Sequence, residues 1–260
     1  MFNEIIIILI ILGAIFGSFA NVCIYRLPRS QSVVTKSSHC PNCKKKINWF
    51  YNIPIFSYLY IQGKCKNCKK KISTQYLIVE VISTLSFPII YYFFGFTIET
   101  LLLIILFFIY LIIFFIDLKH YIIPNSLNYV LIILGFIKNF IPNIDEFIFT
   151  SLIPSMAGGI LGYGMIWLII KLYKKFKNVD GMGFGDAKLF AGIGLWFGYQ
   201  SVFIIIFLAS IIALLFVGPK LLKGKMKMKN EIPFGPFIIL GNLIYIIFMD
   251  KIFNVLSMPL

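Results

Sequence analysis

Two aspartates, Asp117 and Asp186, each lie at the edge of an apolar run and each has a lysine two residues on, Lys119 and Lys188. The chain has only 10 Asp+Glu in 260 residues, and a carboxylate at a membrane boundary is costly enough to suggest function. Two carboxyls at equal depth on different helices suit proteolysis by activated water. One must be ionised to deprotonate the water, and the other protonated to polarise the scissile carbonyl. Close pairing favours that division because both cannot easily ionise at short range. Two other readings of the residues stay open: helix-boundary acids, with Asp186 capping a helix start and Asp117 pairing with a loop lysine, or acids in a cation pathway. A Ser/His or Cys/His nucleophile is disfavoured, because His39 and His120 are the only histidines and neither has a convincing partner. Glu80 and Glu231 are the remaining acids at the same boundary.

The second chemical constellation is cysteine. Cys40-Pro-Asn-Cys43 and Cys65-Lys-Asn-Cys68 are separated by 21 residues, the ligand spacing of a tetrahedral four-thiolate zinc site. Lysines 44–46 and 69–71 favour the thiolates and offset the charge of such a centre. Four thiolates leave no open position, so this zinc is structural. His39 is a further candidate ligand or a plain loop residue, and Cys23, inside an apolar run, reads as a small apolar side chain.

The elements that must hold these groups are membrane helices. The chain is 60% hydrophobic and 13% charged, with a mean hydropathy of +0.92, which excludes disorder, secreted disulfide scaffolds and, nearly, a soluble enzyme. Eight apolar segments approach the length needed to cross a bilayer: residues 4–25, 76–95, 99–117, 121–140, 147–170, 186–199, 201–218 and 233–250. The expectation is an all-α polytopic membrane protein with about eight transmembrane helices. The sixth segment is short and Gly-rich and the fourth carries Pro124 near its start, so these two are the least regular.

Charge sorts onto alternate loops. Of 24 Lys+Arg, 22 fall on one side, all but Lys138 and Lys251, while Glu4, Glu99, Asp145, Glu146 and Asp250 fall on the other. The positive-inside rule makes the cationic side cytosolic and both termini external. The formal +14 then reflects orientation and attraction to anionic lipid, with no nucleic-acid partner required. The first apolar run lacks a preceding basic region, so it does not read as a cleaved signal peptide.

Residues 26–75 form a cytosolic insertion, carrying the cysteines, within a single membrane domain over 1–260. Between the cysteine pairs, nine of the twelve residues 49–60 are large and apolar or aromatic, a composition suited to the membrane interface. A substrate-binding role for this run is the alternative.

Taken together these residues resemble the type IV prepilin peptidases. The resemblance rests on Gly17-Ser18-Phe19 and Asn21–Pro28, the paired CxxC flanking Trp49–Pro54, and Ser73, Tyr76 and Val79-Glu80. It continues with Asp117 followed by Ile123-Pro124, Gly183-x-Gly185-Asp186-x-Lys188, and Pro233-Phe234-Gly235-Pro236. Leu77 stands where the family often has proline, and Cys23 where an aliphatic residue is usual. The resemblance implies a GxGD-type intramembrane aspartyl protease of the bacterial inner membrane, with Asp117 and Asp186 catalytic and Gly183, Gly185 and Lys188 supporting them. It implies cleavage of a basic leader from prepilins or pseudopilins at the cytosolic face, with Glu80 and Glu231 as candidate leader contacts. It also implies methylation of the new N-terminus from S-adenosylmethionine, although no Gly-rich nucleotide loop is visible and the sequence places no cofactor-binding residue. A zinc-stabilised transporter and a non-catalytic secretion platform are the competing classes.

Overall fold

The computed structural model describes residues 2–35, 38–144, 148–177, 183–224 and 231–256. Lys36, Asp145, Glu146, Asp180, Lys225, Lys227 and Lys229, all used in the sequence reading, lie outside them, as do the side chains of Asp250 and Lys251. The described residues form helices and contain no strand beyond two isolated bridges. The helices are α1 (Phe2–Arg26), α2 (Phe56–Tyr60), α3 (Thr74–Phe94), α4 (Ile98–His120), α5 (Asn125–Ile137), α6 (Leu152–Lys177), α7 (Phe184–Leu222) and α8 (Gly235–Leu256). The all-α expectation holds. The chain divides into two compact units, Met1–Ile112 and Ile113–Leu260.

In the first unit, α1 and α3 pack antiparallel at backbone distance. A Cβ on Gly13 would lie 2.9 Å from the Thr84 Cα, and one on Gly17 2.9 Å from the Glu80 Cα. One turn further, the Asn21 amide donates to the Tyr76 carbonyl at 2.9 Å. As α1 advances by four residues α3 recedes by four, which places one small or polar residue per turn along the seam. Phe16 and Phe19 close the unit against Phe108, with ring centroids 5.3 and 6.2 Å away.

In the second unit, the first half of α7 is the central helix: from Asp186 to Gly198 every residue but Lys188 is buried. A helix apolar on all faces must be surrounded, and its glycines let the neighbours approach. Gly158 of α6 faces Gly194 backbone to backbone, Gly162 faces Phe190, and Leu131 of α5 lies against Gly192. The Trp196 indole donates to the Leu131 carbonyl at 2.9 Å. These pairs run antiparallel for α6 and parallel for α5.

Among the described residues, five helices are long and apolar enough to cross a membrane: Glu4–Arg29, Thr74–Phe94, Ile98–His120, Leu152–Lys177 and Phe184–Leu222; a shorter apolar helix covers Gly235–Met249. Helix occupies most of each of the eight apolar segments, and among the described residues the bounds differ most at three. The fifth becomes helical only at Leu152. Pro124 holds residues 121–124 out of the helix, so the fourth contracts to the 13 residues of α5. The sixth and seventh join into the 39-residue α7, broken at Gly198, where φ 81° and ψ 177° are not helical.

Candidate active site and metal centre

Asp117 sits in the last turn of α4 and Asp186 in the first turn of α7. Both are inside the second unit and both are buried, at 4% and 8% exposure. Asp117 Oδ2 accepts a hydrogen bond from the Gly235 amide at 2.9 Å. That amide is the first of α8, one of the donors every helix start leaves unpaired. A Cβ on Gly235 would fall 2.7 Å from the same oxygen and 3.2 Å from Ile123 Cδ1. Gly185, one residue before Asp186, packs on the other side of Ile123, where a Cβ would meet the Ile123 Cβ at 3.1 Å. Ile123 therefore touches both Gly235, whose amide holds Asp117, and Gly185, beside Asp186.

Local sequence explains the backbone at each wall. Gly183 is the N-cap of α7 in extended conformation, and its carbonyl accepts from the Asp186 amide at 3.1 Å. A Cβ there would lie 3.7 Å from Asp186 Oδ2, in ordinary contact with the carboxyl. Asn128 of α5 donates to the Gly185 carbonyl at 3.1 Å, fixing the turn that feeds α7. Lys188 donates to Asn125 Oδ1 at 2.7 Å and lies over the Tyr129 ring, which ties the starts of α5 and α7 together. The ends of α4, α5, α7 and α8 thus surround two buried carboxyls, an arrangement able to activate and hold a water. Asp180, Gly181 and Met182, the first part of the glycine-rich motif, lie outside the described residues.

The other acids take different places. Glu231 is exposed, four residues before Gly235. Glu80, in the first unit, is buried; its Oε2 accepts from the Ile55 amide at 2.7 Å, and α1 passes it at backbone distance at Gly17.

Four ligating sulfurs, from Cys40, Cys43, Cys65 and Cys68, lie within 4.8 Å of one another. Edges of a tetrahedron with Zn–S bonds of about 2.3 Å are about 3.8 Å, so the group fits one metal ion; His39 is not among its ligating residues. The two knuckles repeat one fold. Cys40 N donates to the Lys45 carbonyl and Lys44 N to the Cys40 carbonyl, and Cys65, Lys70 and Lys69 reproduce both bonds at 2.9 Å. Lys44 and Lys69 both adopt φ 56°. The amides of Cys68 and Asn67 hold the Cys65 thiol down to about 6, as a metal-binding thiolate requires.

Sequence reasoning singled out the two aspartates and the four cysteines, and quoted Gly235, Ile123 and Ser18 only as parts of motifs. Gly235 had a legible signal, a glycine between Pro233 and Pro236 at the start of an apolar run, which marks a helix start. Asn128 had none.

Residues 11–94 match the family model described as the bacterial peptidase A24 N-terminal domain. Residues 102–218 match the type IV leader peptidase family. The chain is 31% identical over 266 aligned residues to the prepilin leader peptidase/N-methyltransferase of Stutzerimonas stutzeri, covering 94% of this chain and 90% of that one. It is 34% identical to the protein of that name from Vibrio cholerae, over 91% and 94% of the two chains. The protein of that name from Legionella pneumophila is 31% identical over 92% and 89%. No solved structure matches the chain.

Proposed function

Because the chain belongs to the prepilin leader peptidase/N-methyltransferase family, we propose that it is a membrane aspartic endopeptidase that removes the basic leader of type IV prepilins or pseudopilins and then methylates the new N-terminus. The observation that carries the reading is the pair of buried carboxyls, Asp117 and Asp186, at helix ends that share contact with Ile123. In the reaction one carboxylate takes a proton from water as the water oxygen bonds to the scissile carbonyl carbon. The protonated partner donates to the carbonyl oxygen, so no covalent enzyme intermediate forms. Collapse breaks the C–N bond, and the amine leaves with the proton from the carboxyl that received it. A hydroxyl of the gem-diol returns its proton to the partner carboxylate as the new carboxyl group forms, so both acids return to their starting states. The Gly235 amide fixes Asp117 throughout. For methyl transfer the acceptor is the amine that cleavage frees, and the donor is S-adenosylmethionine.

The four thiolates hold one structural zinc in the insertion over residues 26–75, within one membrane domain over the chain. The cation-rich loops face the cytosol of a bacterium, the protein sits in its inner membrane and both termini are external. A prepilin presents a basic leader in water and an apolar helix in lipid, so its scissile bond lies at the depth of the two aspartates. Glu231, exposed ahead of Gly235, is available to that leader, and opposite charge favours the encounter.

The test is a cleavage assay on a candidate prepilin with labelled S-adenosylmethionine, which reads leader removal and methyl transfer together. Asp117→Asn and Asp186→Asn should each abolish cleavage while the protein still inserts and extracts as a folded monodisperse species. Cleavage at the normal rate in either variant would exclude the dyad.

A further inference from the structure

The aromatic run between the knuckles is exposed and yet tied to the interior of a membrane helix. Glu80 lies six residues into α3, which places it about 9 Å along that helix. Its carboxylate accepts from the Ile55 amide at 2.7 Å, and Ile55 immediately precedes α2. The turn is an unfavourable one: Ile55 has φ 63° and ψ −57°, closed by a Phe56 N–H to Pro54 carbonyl bond of 2.6 Å. A γ-turn of this hand is strained, the more so on a β-branched residue, and persists only where its surroundings over-determine it. Here Glu80 does so, on a helix whose backbone α1 approaches closely at Gly17.

The consequence is one of depth. A segment whose first amide reaches a carboxylate nearly two turns into a helix that crosses the membrane is held close to the bilayer interface. Its exposed side chains are Phe56 and Tyr60, each 75% exposed, and Leu59 at 60%; Trp49, at 78%, adjoins them in sequence. On both flanks stand exposed lysines: 44–46 before the run, and Lys64, Lys66 and 69–71 after it. Aromatic side chains with a lysine border complement the acyl boundary and anionic headgroups of a bilayer. The same lysines would repel a basic leader.

We propose that α2 is a lipid-seated anchor: Phe56, Leu59 and Tyr60 enter the acyl–headgroup boundary, and Glu80 pins them there and so holds the cysteine knuckles against the membrane. This assignment does not depend on the reaction proposed above, and its readout requires no catalysis.

The test places an indole at the site, Phe56→Trp in a Trp49→Phe background, in bilayers whose lipids carry bromine at shallow or deep acyl positions. The constant emission of Trp167 and Trp196 is subtracted using the Trp49→Phe protein. Seating at the boundary, about 5–10 Å down, predicts blue-shifted emission and quenching by shallow bromines that removes roughly half of it, with deep bromines less effective. Adding Glu80→Ala should free the turn, red-shift the emission and at least halve the quenching, and Glu80→Gln, whose carbonyl still accepts from Ile55, should restore both. Red-shifted, unquenched emission with Glu80 intact would overturn the anchor. So would a blue shift seen only with added prepilin peptide, which would make the patch a substrate dock, or one that grows with protein-to-lipid ratio, which would make it a contact between copies. An indole that keeps its depth in the Glu80→Ala protein would overturn the role of Glu80.

Discussion

At the residue scale the site depends on a glycine that carries no chemistry. Gly235 gives Asp117 its amide and has no side chain to crowd it. Gly235→Ala puts a carbon 2.7 Å from Oδ2, so the carboxyl or the start of α8 must move. A displacement of that order in reacting geometry costs about 10- to 100-fold. The expected result is a cleavage rate lowered by about that factor at unchanged folding, measured on the same prepilin under saturating substrate. An alanine variant at wild-type rate would show that the amide does not position Asp117. The cysteines make a separate case: Cys40→Ser or Cys65→Ser should lower bound zinc from about one per chain toward none by metal analysis of purified protein, since a three-thiolate site loses a ligand it cannot replace. A folded, reduced wild-type protein without metal would refute the assignment. The carboxylates and thiolates were legible because acids and cysteines are rare in this chain and their spacing is chemical. The partners of Asp117 and Asp186 were not, because Gly235, Ile123 and Asn128 act through backbone atoms and shape, which residue type does not announce.

At the scale of elements, the helix that carries Asp186 is held by close approach of backbones. Gly158 and Gly194 face each other so closely that a Cβ on either collides with the other's carbonyl. Without a hydrophobic driving force in lipid, such small-residue contacts are what bind helices together. Gly194→Ala must push α6 from α7, at about 1–3 kcal/mol, and lower the thermal midpoint in detergent with cleavage falling alongside. Gly198→Ala acts by a different route. Its φ 81° and ψ 177° lie in a region that only glycine occupies cheaply, which also costs about 1–3 kcal/mol. If the alanine variants melt with wild type, the break and the close seam are not what holds the central helix. These contacts also explain why the segments were easier to find than to delimit. The sixth looked weak as a span because it is short and Gly-rich, and those glycines are what let α5 and α6 surround it. Hydropathy reads the seventh as a separate run, and the break at Gly198 is a backbone angle that composition does not encode. The contraction of the fourth was foreshadowed by Pro124, whose effect on the preceding residues is local and readable.

At the scale of the whole molecule, the distribution of cations makes a prediction independent of any active-site residue. Of 24 Lys+Arg, 22 share alternate loops. Of the two that do not, Lys138 is buried, with Nζ donating 2.7 Å to the Thr150 carbonyl and 3.0 Å to Asn139 Oδ1. It joins the end of α5 to the approach to α6, so its place is set by packing and not by membrane orientation. The lysines at 44–46, 64–71 and 171–177 are exposed, and an excess of them on one side fixes the direction of insertion. Their two groups come from different units and are separated along the chain by three of the five long apolar helices, α3, α4 and α6, and by the shorter α5. A membrane-impermeant amine reagent should therefore modify both groups in inverted inner-membrane vesicles and neither in right-side-out ones, as read by peptide mass spectrometry. Modification of 44–71 and 171–177 from opposite faces would mean that α5 does not cross between them, and the eight-span arrangement would fail. Modification of both from the outer face would keep the spans and reverse the protein, placing the two aspartates on the wrong side for a leader that begins in the cytosol.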